Sequence, residues 1–225
     1  EMSNSCVITN EEGWYKKALD TDLARPKFAI MNPEITYTLP DYQTQCGCAD
    51  IMMHTMERYF VLEDTMEITD KIAQDVMKNV MKYAKILKKD PENYEARAEI
   101  MWCGSLSHNG LTGCGTCGGD WATHLIEHEL GGMFDVAHGA GLAAVWGSWA
   151  RYVMDEKPER FAQFAVDVMG VEESDDVKST ALKGIEAVEE FYRMIEMPTN
   201  MKELGINPTD EQIKDMAMKA TNHDT

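Results

Sequence analysis

Residues 113 to 128 read GCGTCGGDWATHLIEH, and three chemistries overlap there. Gly113, Gly115 and Gly118 match G-x-G-x-x-G, Cys114 and Cys117 make a C-x-x-C, and His124, Glu127 and His128 match the H-x-x-E-H of inverted zinc proteases. A nucleotide-binding glycine motif needs a buried strand directly before it, so that the turn meets the pyrophosphate. Here AEIMWCGSLSHNGLT precedes it, a helix and a polar loop, so the glycines are read as letting the loop pass close to other backbone. The C-x-x-C has no second pair at matching spacing, because Cys46 and Cys48 are one residue apart, and its cysteines are read as ordinary thiols.

The histidines carry more. His124 and His128 lie four apart on a predicted helix, so their side chains leave one face with Cβ atoms about 5–6 Å apart. Ten residues on, His138 sits in AHGAG, where flanking glycines let the backbone bring an imidazole close to a site. Taken alone, these three fit either a metal site or ordinary core and surface positions. Earlier, in CGCADIMMHTMERYF, Asp50 and His54 are again four apart, among apolar residues that favour burial. A buried carboxylate needs a cation or donors; the other reading is that Asp50 faces solvent or caps a loop. Together, Asp50, His54, His124 and His138 offer one carboxylate and three imidazoles, a set that suits Fe(II), Zn(II) or another divalent first-row metal. His128 is left over. A rival reading takes HLIEH as a zinc metallopeptidase, with His124 and His128 as ligands, Glu127 as general base and Glu189 or Glu190 as third ligand. A further alternative is a non-catalytic metal-binding helical module.

The elements that must position these groups are mostly helices. Two short strands are expected first, at SCVIT (5–9) and KFAIM (27–31). Pro40-Asp41 opens a helix to about Val61. Ile72, Val76, Val80, Tyr83 and Leu87 mark the next, which Asp90-Pro91 stops. Another runs from about Asn93 to His108. Asp120 is placed to cap a helix over 121–130 that Gly131-Gly132 weakens or ends. Further helices are expected from Leu142 to Met154, around Phe161, Phe164 and Val168, and from Val177 to Ile195 before Pro198. The last begins at the Thr209-Asp210-Glu211-Gln212 box. This predicts an all-α domain over 41–225 and, in 1–40, the edge of an α/β domain. There is no internal repeat or low-complexity linker. With Glu1 first and ATNHDT last, the sequence looks cut from something longer.

Acidic residues number 39 against 21 basic ones, for a net charge of -18, which argues against nucleic acid and anionic membrane surfaces as partners. No run approaches the ~20 apolar residues of a membrane span. Six cysteines in 225 residues are too sparse for a disulfide framework, so a reducing cytoplasmic setting is expected.

With Asp50-x-x-x-His54 and His124-x-x-x-His128-x9-His138-Gly in hand, the sequence resembles the iron-containing (group III) alcohol dehydrogenases, in their NAD(P)H-dependent butanol dehydrogenase branch. EMSNSCVITNEE, PKFAIMNPEITYTLP, ADIMMHTMERYF and DWATHLIEHELGGMFDVAHGAGLA carry the likeness. The resemblance implies a helical metal-binding domain of the dehydroquinate-synthase-like type, with metal ligands at Asp50, His54, His124 and His138. It implies that His128 lies beside the metal near alcohol and nicotinamide, as a proton-transfer residue. It also implies NAD(P)H as hydride carrier, a small alcohol or aldehyde as substrate, and a homo-oligomer such as a dimer. Trp102 is read either as a wall of the alcohol pocket or as a core aromatic, and the methionines near the ligands as core filling. The glycine-rich phosphate loop of the family and roughly its first third find no counterpart in these 225 residues, so by itself this stretch is expected neither to hold NAD(P)H well nor to turn over.

Overall fold

The computed structural model describes residues 3–63 and 65–221. It opens with a hairpin, β1 (Ser5–Asn10) and β2 (Tyr15–Asp20), antiparallel with Ser5 opposite Asp20 and Asn10 opposite Tyr15. Eight α-helices follow among the described residues: α1 (Asp41–Tyr59), α2 (Glu67–Leu87), α3 (Tyr94–His108), α4 (Ala122–Phe134), α5 (His138–Val153), α6 (Pro158–Asp167), α7 (Val177–Met194) and α8 (Asp210–Thr221). The fold is the all-α one expected, and the first strand lies where it was read.

The second strand does not. KFAIM is irregular, and its Phe28 and Ile30 are 81% and 85% exposed. β2 is the polar YKKALD instead. A strand needs a partner ladder, and among the described residues the one β1 finds lies across its own short turn, where Gly13 takes a φ of +86°. Apolar β-branched composition alone could not show this.

α1 is the central helix and is buried nearly all round: Cys48, Ala49, Met52, Met53, Met56 and Tyr59 are at most 1% exposed. It packs against α2, α3 and α5, and each of those methionines contributes about 1.5–3 kcal/mol by leaving water. Phe60, just past its end, stacks on Phe161 of α6 at 4.3 Å between ring centroids. Helices α6 and α7 close the far side, with Phe161, Phe164, Ile185, Val188 and Phe191 in the core. The last helix has the expected capping box: Thr209 Oγ1 accepts from the Gln212 amide, and Gln212 Oε1 accepts from the Thr209 amide.

Two helix boundaries differ from the sequence reading. α4 runs through Gly131-Gly132 to Phe134, because tertiary packing overrides the propensity of glycine there: a Cβ on Gly132 would lie 2.6 Å from the Trp14 carbonyl oxygen of the hairpin. α5 starts at His138 rather than at Leu142. At Gly139 a Cβ would stand 2.0 Å from the Cys46 carbonyl oxygen, so only glycine lets this helix begin against α1.

Candidate metal centre

Three helices bring the sequence-predicted residues to one place. Asp50 and His54 leave α1 one turn apart, His124 stands in the first turn of α4, and His138 is the first residue of α5. Asp50 Oδ1 lies 3.6 Å from His54 Nε2, 3.6 Å from His124 Nε2 and 3.5 Å from His138 Nε2. Asp50, His54 and His124 form one cluster of possible metal donors, and His138 falls with Glu127 and His128 in a second beside it. Asp50 Oδ1 and His124 Nε2 are buried and have no hydrogen-bond partner. Such orphaned groups cost free energy unless something else meets them. Donors at the corners of a tetrahedron with bonds of about 2.1 Å stand about 3.4 Å apart, so the spacing observed fits a single divalent ion.

The outer partners fit as well. A carboxylate oxygen of Glu57 contacts His124 Nδ1, and one of Glu127 contacts His138 Nδ1. Both carboxylates are fully buried, and each fixes its imidazole with Nε2 toward Asp50. Lys16 of β2 balances Glu127, with Nζ 3.2 Å from Oε2 and 3.4 Å from His138 Nδ1. Glu57 also caps α4: its Oε1 accepts from the Thr123 and His124 amides at 2.8 and 3.1 Å. Asp120, expected as the cap, accepts only from the Ala122 amide, since Trp121 between them is left-handed at φ +65°. His54 lacks a carboxylate of this kind; its Nδ1 is buried without a hydrogen bond.

The electrostatics favour a cation at this spot. Burial would push the Asp50 carboxyl up, but His108 and His124, with His54 and His138 behind them, bring it well below the usual range. Burial would likewise lower His124, yet the carboxylates of Asp50 and Glu57 raise it to about 9. Glu57 holds Nδ1 of this ring, and Asp50 faces Nε2, where a metal ion would take the place of a proton. His54 is pushed well below its ordinary value by burial, against the pull of Asp50.

The groups open into a cavity of about 430 Å³ that His128, Trp121 and Leu125 also line. The His128 ring lies 5.6 Å from that of His138 and 6.2 Å from that of His124. Arg58 donates to the His54 and Ser107 carbonyls at 2.8 Å and sits 4.5 Å from the centre of the Trp121 ring, fastening that indole over the site. Trp102 is 47% exposed and does not line the cavity, so it is neither core aromatic nor pocket wall.

Sequence reasoning missed Lys16, Glu57, His108 and Trp121. A signal existed for Glu57, which continues the Asp50, His54 face at i+7. None existed for Lys16, brought in by a hairpin that pairs only in three dimensions. Glu127 is committed to His138 and Lys16, which removes it as a free general base, and Glu189 is held by Arg151. Of the motif cysteines, Cys114 and Cys117 are free and exposed, whereas Cys46, Cys48 and Cys103 are free and buried. The glycine motif stands in the α3–α4 loop behind a helix, without a strand before it.

No described helix is long and apolar enough to cross a membrane. Residues 44–225 match the model of the Fe-containing alcohol dehydrogenase family, C-terminal part. The chain is 36% identical to NADH-dependent butanol dehydrogenase A of Clostridium acetobutylicum, over 92% of this chain and 53% of that protein. It is 32% identical to an NADPH-dependent aldehyde reductase of Escherichia coli, over 92% and 53% of the two chains. Among solved structures, NADH-dependent butanol dehydrogenase A from Thermotoga maritima superposes with a TM-score of 0.92 at 36% identity, covering 98% of this chain and 54% of that one. The chain thus spans about half the length of the relatives it matches. With the family model matching from within α1 to the end of the sequence, the chain belongs to the Fe-containing alcohol dehydrogenase family.

Proposed function

We propose that this chain is the metal-holding part of an alcohol dehydrogenase or aldehyde reductase that moves hydride between a primary, butanol-like alcohol and NAD(P). Asp50, His54, His124 and His138 hold a divalent metal, Fe(II) or Zn(II) among the choices, and His128 is the proton-transfer residue. One observation carries the reading: three imidazole Nε2 atoms stand at 3.5–3.6 Å around one carboxylate oxygen that is buried without a hydrogen bond. The names of the relatives supply the nicotinamide cofactor and the alcohol or aldehyde.

When bound, the metal acts as a Lewis acid that lowers the pKa of an alcohol oxygen or polarises a carbonyl, and the nicotinamide accepts or gives the hydride. The protein's own side chains do the rest. Glu57 and Glu127 hold His124 and His138 by their Nδ1 atoms, so that both rings are already oriented toward the metal. Trp121 and Leu125 wall one side of the cavity. His128, in the wall of that cavity, passes the hydroxyl proton from alcohol toward solvent and returns it to the product alcohol in the reverse direction.

Residues 1–40 belong, on this reading, to the cofactor-binding α/β domain. The exposure of Leu23, Phe28, Ile30 and Ile35, at 96%, 81%, 85% and 73%, supports a further unit covering them. The enzyme works in the cytoplasm as a homo-oligomer, a dimer in the simplest case; six free cysteines support the reducing compartment. The test is metal per chain by elemental analysis of the full-length protein, unaltered and as D50A and H128A. Loss of metal in D50A with retention in H128A upholds the assignment. Retention in D50A with loss in H128A overturns it.

A further inference from the structure

His108, the last residue of α3, belongs to no ligand set considered so far. Its Nε2 stands 3.6 Å from Asp50 Oδ2, the same separation that the other imidazoles keep from Oδ1. Its ring lies against that of His54, 3.7 Å between centroids, and it lines the same cavity. The opposite ring atom settles the tautomer. His108 Nδ1 is 2.9 Å from the Gly104 carbonyl oxygen, which can only accept, so Nδ1 carries the hydrogen; Ser107 Oγ, 2.7 Å away, donates its own to the same carbonyl. Nε2, on the far side of the ring, is thereby held toward the second carboxylate oxygen of Asp50. The ring and the carboxylate are fixed face to face by independent helices, α3 and α1, at the separation that the other imidazoles of the centre keep.

We propose that His108 is a fifth protein donor to the metal, binding next to the second carboxylate oxygen of Asp50. This rests on the metal centre proposed above and deepens it. A fifth donor takes the site away from the four-coordinate shell that zinc prefers and toward the larger shells of Fe(II), Co(II) or Ni(II), with a single octahedral position left for the substrate oxygen. The backbone anchor at Gly104 makes the ring a preset ligand rather than a swinging one.

The experiment is replacement of the metal by Co(II) in the full-length protein. The visible d–d spectrum and the affinity against a competing chelator are compared for the unaltered protein, H108L and D50A. The expected result is that H108L still binds cobalt with at least about tenfold lower affinity and a changed band position and intensity per ion, since d–d intensity depends on coordination number. An unchanged spectrum overturns the proposal, whether affinity falls or not, because a fall alone means that His108 only orients Asp50. Failure of the unaltered protein to bind cobalt overturns the metal centre itself and His108 with it. If H108L does not fold, as judged by circular dichroism, H108Q is read in the same way.

Discussion

Two carboxylates in this molecule, one buried and one half-buried, are surrounded in opposite ways. Asp70, on α2, is closed: Arg160 meets both its oxygens at 2.6 Å and Thr65 adds a third donor at 2.8 Å. Arg160 is satisfied in turn by the Tyr59 carbonyl at 2.9 Å, and its guanidinium lies 3.5 Å from the Tyr59 ring centroid. Asp50, on α1, has four imidazole Nε2 atoms about it, three at 3.6 Å and one at 3.5 Å, and an oxygen without a hydrogen bond. Both sit on helices that pack together in one core. The first cluster is complete in protein atoms alone and serves stability, whereas the second leaves a buried carboxylate oxygen without a hydrogen bond. Charge and burial alone do not separate a structural ion pair from a metal site; the satisfaction of each donor and acceptor does.

The sharpest break in this contrast comes from D50A. Metal affinity is expected to fall by more than the roughly 10–100-fold that outer partners cost, with the helical circular dichroism retained; a metal-replete D50A would erase the distinction. The counterpart is R160M, which leaves Asp70 buried and unpaired. It is expected to cost about 3–5 kcal/mol in denaturant unfolding, while metal per folded chain stays at the unaltered ratio. A smaller effect is expected from E57Q, which weakens the hold on His124. Metal affinity should drop about 10–100-fold, and chelator competition would sink the idea by showing no change.

The smallest is a pH effect. Burial would raise the Asp70 carboxyl, but Arg160 and Thr65 bring it below its ordinary value. A carboxyl whose folded pKa is depressed adds stability above its unfolded pKa of about 3.9. That stability is lost as pH falls through the lower folded value. Unfolding free energy should therefore drop in this acid range, and D70N should remove that part of the slope; an identical slope in D70N would show that Asp70 is not linked to folding.

Much of the centre was readable in one dimension. The i, i+4 spacing of Asp50 with His54 puts both on one helix face whatever the helix packs against, and the i, i+4 spacing of His124 with His128 does the same. The bounds of α3 and α7 and the end of α2 followed from periodicity and from stops such as Asp90-Pro91. The Thr209 box capped its helix as read, because a capping box is closed within four residues. Local rules succeed where the interaction that decides the outcome is itself local.

The remainder depends on which segments meet. KFAIM has strand composition and stays irregular, while the polar YKKALD becomes β2, because a ladder forms only where another strand lies. Gly131-Gly132 reads as a helix stop, yet α4 continues because the hairpin backbone occupies the space that side chains there would need. Glu57 caps a helix 66 residues further on and holds its histidine, and Lys16 reaches Glu127 across 111 residues. His108 ends its helix with nothing in its neighbours to mark it, and gains its meaning from Asp50 on another helix. Composition and spacing thus picked out side chains that the fold gathers at the candidate centre, since helix-face spacing is a property of single helices. The partners that orient those donors were settled by packing, because hydrogen bonds between helices depend on distances that no local pattern encodes.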